Sequence, residues 1–208
     1  MKISYAITVC NEFVEIQKLV NFLRQNKRTQ DEIVILFDQK NGDQEVANWL
    51  TKQNKYPNVQ FWRGFEFDGG FSNWKNLLTT YCAGDYIFQI DADEMPDWYL
   101  INYLPEILEA NPDNEVFLVP RVNTVEGLTQ EHIQKWGWNV NENGWVNWPD
   151  YQWRIWKKKP GIKWKNKVHE VLDGYKTYST LPTEPEFSLK HPKDIKRQEK
   201  QNAYYDTL

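Results

Sequence analysis

Apolar residues along this chain follow two alternating rhythms. Ile3 to Val9 is an unbroken apolar run of the kind a buried parallel strand shows, and Val14, Ile16, Leu19, Val20 and Leu23 then recur near helical spacing. Glu32 to Phe37 is a second strand, closed by Asp38 and the turn-forming Lys40-Asn41-Gly42-Asp43. Residues 44 to 53 read as a helix and Val59 to Trp62 as a short third strand. Gly69-Gly70 breaks the chain before Ser72, the expected N-cap of a helix running through Tyr81. Tyr86 to Ile90 is the fourth strand, and Pro96 with Asp97 opens a helix to Ala110. Strands alternating with helices predict an α/β fold: a mostly parallel, doubly wound sheet with helices on both faces.

From Glu115 the rhythm changes. Val116 to Val122 reads as a strand interrupted by Pro120, which places it at a sheet edge. Residues 126 to 149 form a polar, Trp- and Asn-rich loop with a short helix from Thr129 to Lys135. Tyr151 to Trp156, Lys167 to Leu172 and Phe187 to Leu189 read as short strands, and Lys193 to Tyr205 as a charged terminal helix. No repeat or low-complexity linker divides the chain. The expectation is one domain over residues 1–208, with a strand–helix half (1–114) and a smaller β-rich half ending in a helix (115–208).

Composition narrows the function. A chain of 208 residues with 40% hydrophobic content can bury a core of its own. A net charge of -4 and a pI near 5.5 argue against a nucleic-acid binder driven by phosphate neutralisation. Met1-Lys2-Ile3-Ser4 leads straight into a strand with no signal-peptide pattern, and no run approaches the roughly 18 apolar residues of a membrane span. The expected location is the cytoplasm, without an integral membrane segment. The Lys157-Lys158-Lys159 run and Lys193, Lys196, Arg197 and Lys200 read as solvated faces, with a weak pull toward an anionic surface as the route to peripheral association. Cys10 and Cys82 sit in apolar contexts and read as small buried hydrophobes, not a disulfide. Of the 11 Trp, seven fall between Trp136 and Trp164, an imbalance that a core alone does not require.

The densest chemistry lies at the end of the fourth strand. Tyr86-Ile87-Phe88-Gln89-Ile90 runs directly into Asp91-Ala92-Asp93-Glu94, placing three carboxylates where open α/β sheets hold their ligands. Asp91 and Asp93, two apart, can both reach one hard divalent cation, and Mg²⁺ or Mn²⁺ often shares such oxygens with substrate phosphates. Acidic pairs at strand ends are otherwise solvated turn residues. Trp136, Trp138, Trp145 and Trp148 occupy the polar loop, where indole faces can stack on the C–H faces of sugar rings, whereas Trp153, Trp156 and Trp164 suit packing between strands. His132, among Gln130, Glu131 and Gln134, reads as a surface residue.

In order and spacing, Ala6-Ile7-Thr8-Val9-Cys10-Asn11-Glu12, Asp38, Asn73-Trp74-Lys75-Asn76, Ala83-Gly84-Asp85-Tyr86-Ile87 and Asp91-Ala92-Asp93-Glu94 resemble glycosyltransferase family 2. Arg154-Ile155-Trp156, Gly161-Ile162-Lys163-Trp164, Val168-His169-Glu170 and Leu189-Lys190-His191 more loosely resemble its small bacterial and phage members acting on surface glycans. The chain departs from that pattern in a single Asp38 followed by Gln39, and in Lys75 where the family usually has Arg. The resemblance implies a GT-A nucleotide-binding fold and a metal-dependent, inverting hexosyltransferase using a UDP-sugar donor and a glycan or lipid-linked glycan acceptor. It implies that Thr8, Asn11, Glu12, Asp38, Lys75, Asp91, Ala92 and Asp93 surround the nucleotide sugar, and that Asp91, Asp93 and His191 hold Mn²⁺ or Mg²⁺. Trp145, Trp148 and His169 would line the acceptor side.

Several of these positions have structural alternatives. Glu12 suits an N-cap, Asp38 an Asx-turn and Lys75 a solvated helix face. His169 competes with His191 for the metal. An inverting displacement needs a general base on the acceptor hydroxyl. Asp150, following Trp148-Pro149, resembles the family's base; Glu170 beside His169 is the other candidate, and Glu94 is expected to be occupied by the acidic turn. A non-catalytic carbohydrate-binding protein would need only the tryptophans. A sugar-nucleotide pyrophosphorylase would show a Gly-rich phosphate loop where this chain has Val9-Cys10-Asn11-Glu12-Phe13-Val14.

Overall fold

The computed structural model describes residues 1–53 and 61–205. The strands are β1 (Ile3–Val9), β2 (Glu32–Asp38), β3 (Phe61–Phe65), β4 (Tyr86–Asp91), β5 (Met95–Pro96), β6 (Val116–Glu126), β7 (Val146–Lys157), β8 (Lys163–Lys165), β9 (Val171–Asp173), β10 (Tyr178–Thr180) and β11 (Leu189–Asp194). The helices are α1 (Phe13–Asn26), α2 (Gln44–Gln53), α3 (Phe71–Tyr81), α4 (Trp98–Ala110), α5 (Gln130–Trp136) and α6 (Ile195–Tyr205).

One large sheet runs β3-β2-β1-β4-β7-β6-β11-β5, with β10 also paired to β6, while β8 and β9 form a separate two-stranded sheet. β1 to β4 are mutually parallel, β7 runs against β4 and β6, and β11 returns parallel to β6. The chain winds from β1 outward to β3 and then crosses back to place β4 on the other side of β1. That reversal is the point at which open sheets form a ligand crevice beyond the strand carboxyl ends.

The apolar runs of β1, β2 and β4 are buried on both faces, as strands between two helical layers must be. One core cluster joins them to Ile16, Leu19, Val20 and Leu23 of α1 and to Leu100, Ile101, Leu104 and Leu108 of α4. The other joins Trp74 and Leu78 of α3 to Trp156, Trp164 and Leu172. Glu32 fastens the lower edge, accepting from Ser4 Oγ at 2.6 Å and from the Ala83 and Lys2 nitrogens at 2.5 Å.

Several expected elements differ. Residues 59 and 60 of the third predicted strand lie outside the described residues, and the strand seen is Phe61–Phe65. Ser72 lies within α3; Gly70 stands at its N-cap position without a side-chain bond. Pro120 is not at a sheet edge. β6 is central, and Pro120 falls in the gap between the stretches paired with β10 (116–118) and β11 (121–126), so no ladder bond there needs its missing N–H. The predicted 151–156 strand extends over Val146–Lys157. Residues 167–170 form a loop, with Asn166 and His169 at positive φ, and only Val171–Asp173 is strand. Pro185–Phe187 is a 3-10 turn preceding β11, and the terminal helix begins at Ile195. Cys10 is half-buried beside Asp38, and burial together with that carboxylate pushes its thiol up to about 12.

The glycine of Ala83-Gly84-Asp85-Tyr86 has a steric cause. A Cβ at Gly84 would lie 2.6 Å from the Ser4 backbone nitrogen and 2.7 Å from the Tyr86 carbonyl oxygen, so the turn into β4 packs directly on β1. Gly84→Ala is expected to destabilise the fold by about 1–3 kcal/mol, the usual cost of overpacking, measured by urea unfolding.

Candidate functional site

The carboxyl ends of β1, β2 and β4 place Thr8, Asp38 and Asp91 along one rim, with Thr8 directly opposite Asp91 in register. Strand β7, running the other way, brings Arg154 beside the end of β4. Its guanidinium donates to Asp91 Oδ2 at 2.7 Å and to the two Glu94 oxygens at 2.6 and 3.1 Å. Glu94 is 1% exposed and also accepts from Arg121 Nη1 at 3.1 Å, while its Oε2 takes the Asp91 backbone N–H. Burial works against charge here. Even so, Arg154 and Lys75 hold the Asp91 carboxyl well below the usual range, and the carboxylates raise Arg154.

Lys75 is buried, not solvated. It reaches in from α3 to within 3.9 Å of Asp91 and 3.7 Å of Glu170, with its ammonium 4.7 Å over the Trp164 ring. Glu170 follows His169, which is exposed and holds a left-handed backbone at φ 54°.

Asp93 points toward β11. Its Oδ2 is 3.3 Å from His191 Nε2, and His191 Nδ1 is 2.8 Å from Asn123 Oδ1. The Asn123 amide nitrogen donates to Asp150, which leaves its oxygen to accept from Nδ1–H and leaves the Nε2 lone pair aimed at Asp93. The same Asp93 oxygen also accepts from Arg197 Nη2 at 3.2 Å, so the carboxylate lies between an imidazole and a guanidinium. Burial would raise Asp93, but the hydrogen bond and charge of His191 outweigh it and hold the carboxyl down to about 2.

The three expected metal ligands do not converge. Asp91 is turned to Arg154, and among the described residues no three His, Cys, Asp or Glu side chains stand close enough to hold one ion. Asp93 and His191 remain as an adjacent oxygen–nitrogen pair. That fits Mn²⁺ or Mg²⁺ sharing its shell with phosphate oxygens and water, as these ions commonly do.

Glu12 stands at the N-cap position of α1, yet its carboxylate folds back to accept from the Cys10 and Asn11 N–H groups at 2.9 and 3.1 Å. Asp38 anchors an Asx-turn, accepting from Lys40 N at 2.9 Å and Asn41 Nδ2 at 2.8 Å, and is buried at the rim. Asn11 is exposed and Ala92 buried. Asp150 lies inside β7, where it accepts from Arg121 at 2.7 and 3.0 Å, Asn123 at 2.8 Å and Gln152 at 2.6 Å. Burial pushes its carboxyl up, but these donors bring it below the ordinary range. Trp145 and Trp148 pack edge to face with ring centroids 5.1 Å apart, and Trp136 and Trp138 lie 4.6 Å apart; all four are half-buried. Trp156 and Trp164 are core residues, whereas Trp153 is only half-buried.

Three participants carried no signal in the sequence, and a fourth was read only as part of the acidic turn. Arg121 and Asn123 sit in a strand whose register was unknown, and Glu94 was assigned to the turn. Arg197, expected as a solvated residue, ion-pairs with Glu12, Glu15 and Asp93. Lys193 is half-buried beside it. The Lys157-Lys158-Lys159 run is also tied down, with Lys157 and Lys158 on the Pro112 and Cys82 carbonyls and Lys159 on Glu115 at 2.8 Å.

Arg154→Met is expected to strip the buried Glu94 and the half-buried Asp91 of their shared counter-charge and to cost about 3–5 kcal/mol in urea unfolding, more than any single exposed lysine in the protein.

Comparison with solved structures places this architecture. Two structures of S. aureus TarS residues 1–349, one with UDP and one with UDP-GlcNAc, superpose with TM-scores of 0.58 and 0.55 at 15% identity. They cover 87% and 90% of this chain and 61% and 60% of theirs. A mannosyltransferase from Pyrobaculum calidifontis, in complex with GDP-Man and Mn²⁺, aligns at 14% identity and TM-score 0.50 over 57% of this chain and 35% of its own. The chain thus spans at most about three-fifths of these relatives, and 23% of a further TarS structure; at such identities the likeness is one of fold. Among curated proteins no sequence matches. No described helix is long and apolar enough to cross a membrane. The model of glycosyl transferase family 2 matches residues 4–182, and the chain belongs to that family.

Proposed function

We propose that the protein transfers a hexosyl group from a nucleoside-diphosphate sugar, a UDP-sugar, to a hydroxyl of a glycan acceptor with inversion of configuration. The observation that carries this reading is the Asp93–His191 pair at the switch point of the sheet, with the histidine tautomer set by Asn123. Family membership supports the reaction class, and the fold-level relatives crystallised with UDP, UDP-GlcNAc or GDP-Man support a nucleotide-sugar donor.

In this reading residues 1–114 hold the donor and 115–208 the acceptor, within one domain. Asp38, Glu12, Asn11 and Thr8 line the nucleotide side of the rim. Asp93 and His191 would hold Mn²⁺ or Mg²⁺, while Asp91, turned to Arg154 and Lys75, stays outside that pair. The cation supplies charge neutralisation for the departing diphosphate. Lys75, already desolvated, adds a fixed positive charge beside Asp91. Trp145, Trp148 and His169 bound the acceptor side, where indole faces exclude water and stack on sugar C–H faces.

Two carboxylates are candidates for the general base, and their surroundings support Glu170. Asp150 has its lone pairs taken by two arginine nitrogens and two amides, which lowers its basicity. Glu170 faces Lys75 at 3.7 Å, beyond hydrogen-bond reach, and keeps its oxygens available to an acceptor hydroxyl. Glu170 takes the proton, and Asp150 positions Arg121 and Asn123.

Incubation with UDP-sugars and Mn²⁺ should release UDP, and Asp93→Ala should abolish the release. Asn123→Leu, which removes the histidine's partner, should lower Mn²⁺ affinity by about 10–100-fold. Activity unchanged by EDTA would remove the metal from the scheme. Glu170→Gln should lower transfer by about 10²–10⁴-fold with UDP binding spared. A larger loss in Asp150→Asn than in Glu170→Gln would return the role to Asp150.

A further inference from the structure

Arg197 competes for the oxygen that a cation would need. It projects from the first turn of α6, and its Nη2 lies 3.2 Å from Asp93 Oδ2, the same oxygen that faces His191 Nε2 at 3.3 Å. Nη1 is held 3.2 Å from Glu15 Oε1 and Nη2 lies 3.5 Å from Glu12 Oε1. The side chain is about one-third exposed and lines a cavity of about 570 Å³ together with Glu15, Lys193, Asp194 and Gly144. It therefore stands between the Asp93–His191 pair and open space into which a guanidinium can turn.

A guanidinium and a divalent ion cannot share one carboxylate oxygen at contact distance, because the two cations repel with little solvent between them. When the ion arrives, Arg197 loses one of its three carboxylate partners. A diphosphate arriving with the ion brings negative oxygens to the same place. A planar guanidinium can take two of these at once, a geometry the single ammonium of Lys75 cannot offer. We propose that Arg197 is a diphosphate-binding residue of the donor site, parked on Asp93 and Glu15 in the empty protein and transferred to the phosphates when cation and nucleotide bind. This rests on the nucleotide-sugar reading of the site given above. It adds that α6 carries part of the donor site and that Arg197 opposes the bare cation while favouring the cation–nucleotide pair.

That duality gives opposite signs in two binding measurements. Mn²⁺ binding to the free protein can be followed by electron paramagnetic resonance of the unbound ion. Binding of UDP can be followed by calorimetry at saturating Mn²⁺. Arg197→Ala should tighten Mn²⁺ alone about fivefold, the size of one partly exposed ion pair, and weaken UDP in the presence of Mn²⁺ about tenfold or more. Glu15→Ala leaves Arg197 in place but loosens its parked position, and should tighten UDP severalfold. If Arg197→Ala changes neither constant, or moves both in the same direction, Arg197 is only a tether for α6 and the proposal fails. A wild-type protein that binds neither Mn²⁺ nor UDP overturns the nucleotide-sugar reading as well. That failure is distinct, because it appears without any substitution.

Discussion

Everything at the rim depends on one arginine buried among carboxylates. Asp91 and Glu94 lie at the end of a strand whose neighbours are apolar, and a half-buried carboxylate set against a fully buried one would repel or protonate without compensation. Arg154 removes that conflict by bridging both, and Arg121 adds a second cation on the far side of Glu94. Such networks gain little over an apolar packing of the same volume, so their persistence suits a site in which charge must be kept ionised and in place. The network also fixes the tail of β4, and Asp93 leaves that tail in the direction of His191.

The reversed direction of β7 is what delivers this arginine. A fully parallel sheet would bring every strand to the rim by its carboxyl end, with side chains drawn only from that end. β7 instead enters the rim at its beginning and descends, so Asp150 and Arg154 precede the stretch paired with β4 (155–157) and lie toward the carboxyl end of that strand. β6 completes the arrangement by presenting Arg121 and Asn123 across from it, and β11 adds His191 opposite Asn123 in register.

The first half of the fold was legible because burial on both faces leaves a plain signature: Ile3–Val9, Glu32–Phe37 and Tyr86–Ile90 are continuous apolar runs, and each is a strand. The second half was less so. Its strands alternate, bulge and carry tryptophans, so Val146–Pro149 looked like loop and Lys167–Glu170 looked like strand. Pro120 pointed to an edge because sequence reveals the missing donor but not the gap between two partners that accommodates it. In the site, the acidic cluster stood out through its position after an apolar run. Arg197 and Asn123 did not, since each acquires meaning only from residues 104 and 68 positions away. Lys75 was misleading for the opposite reason, as a lysine on an amphipathic helix normally reaches water.

His191 and Asp93 are separated by 98 positions, and the histidine enters through a strand that pairs with β6. During synthesis the parallel core of β1 to β4 has all its strands long before residue 191 exists, so it can collapse early around local connections. The Asp93–His191 pair closes late, after a loop of 98 positions has been drawn together. A nascent chain that folds in this order is already sheet-like before Asp93 meets His191, because that contact forms only when the C-terminal strand docks. A polypeptide halted before residue 191 therefore displays the acidic residues of the rim without the imidazole that stands opposite Asp93.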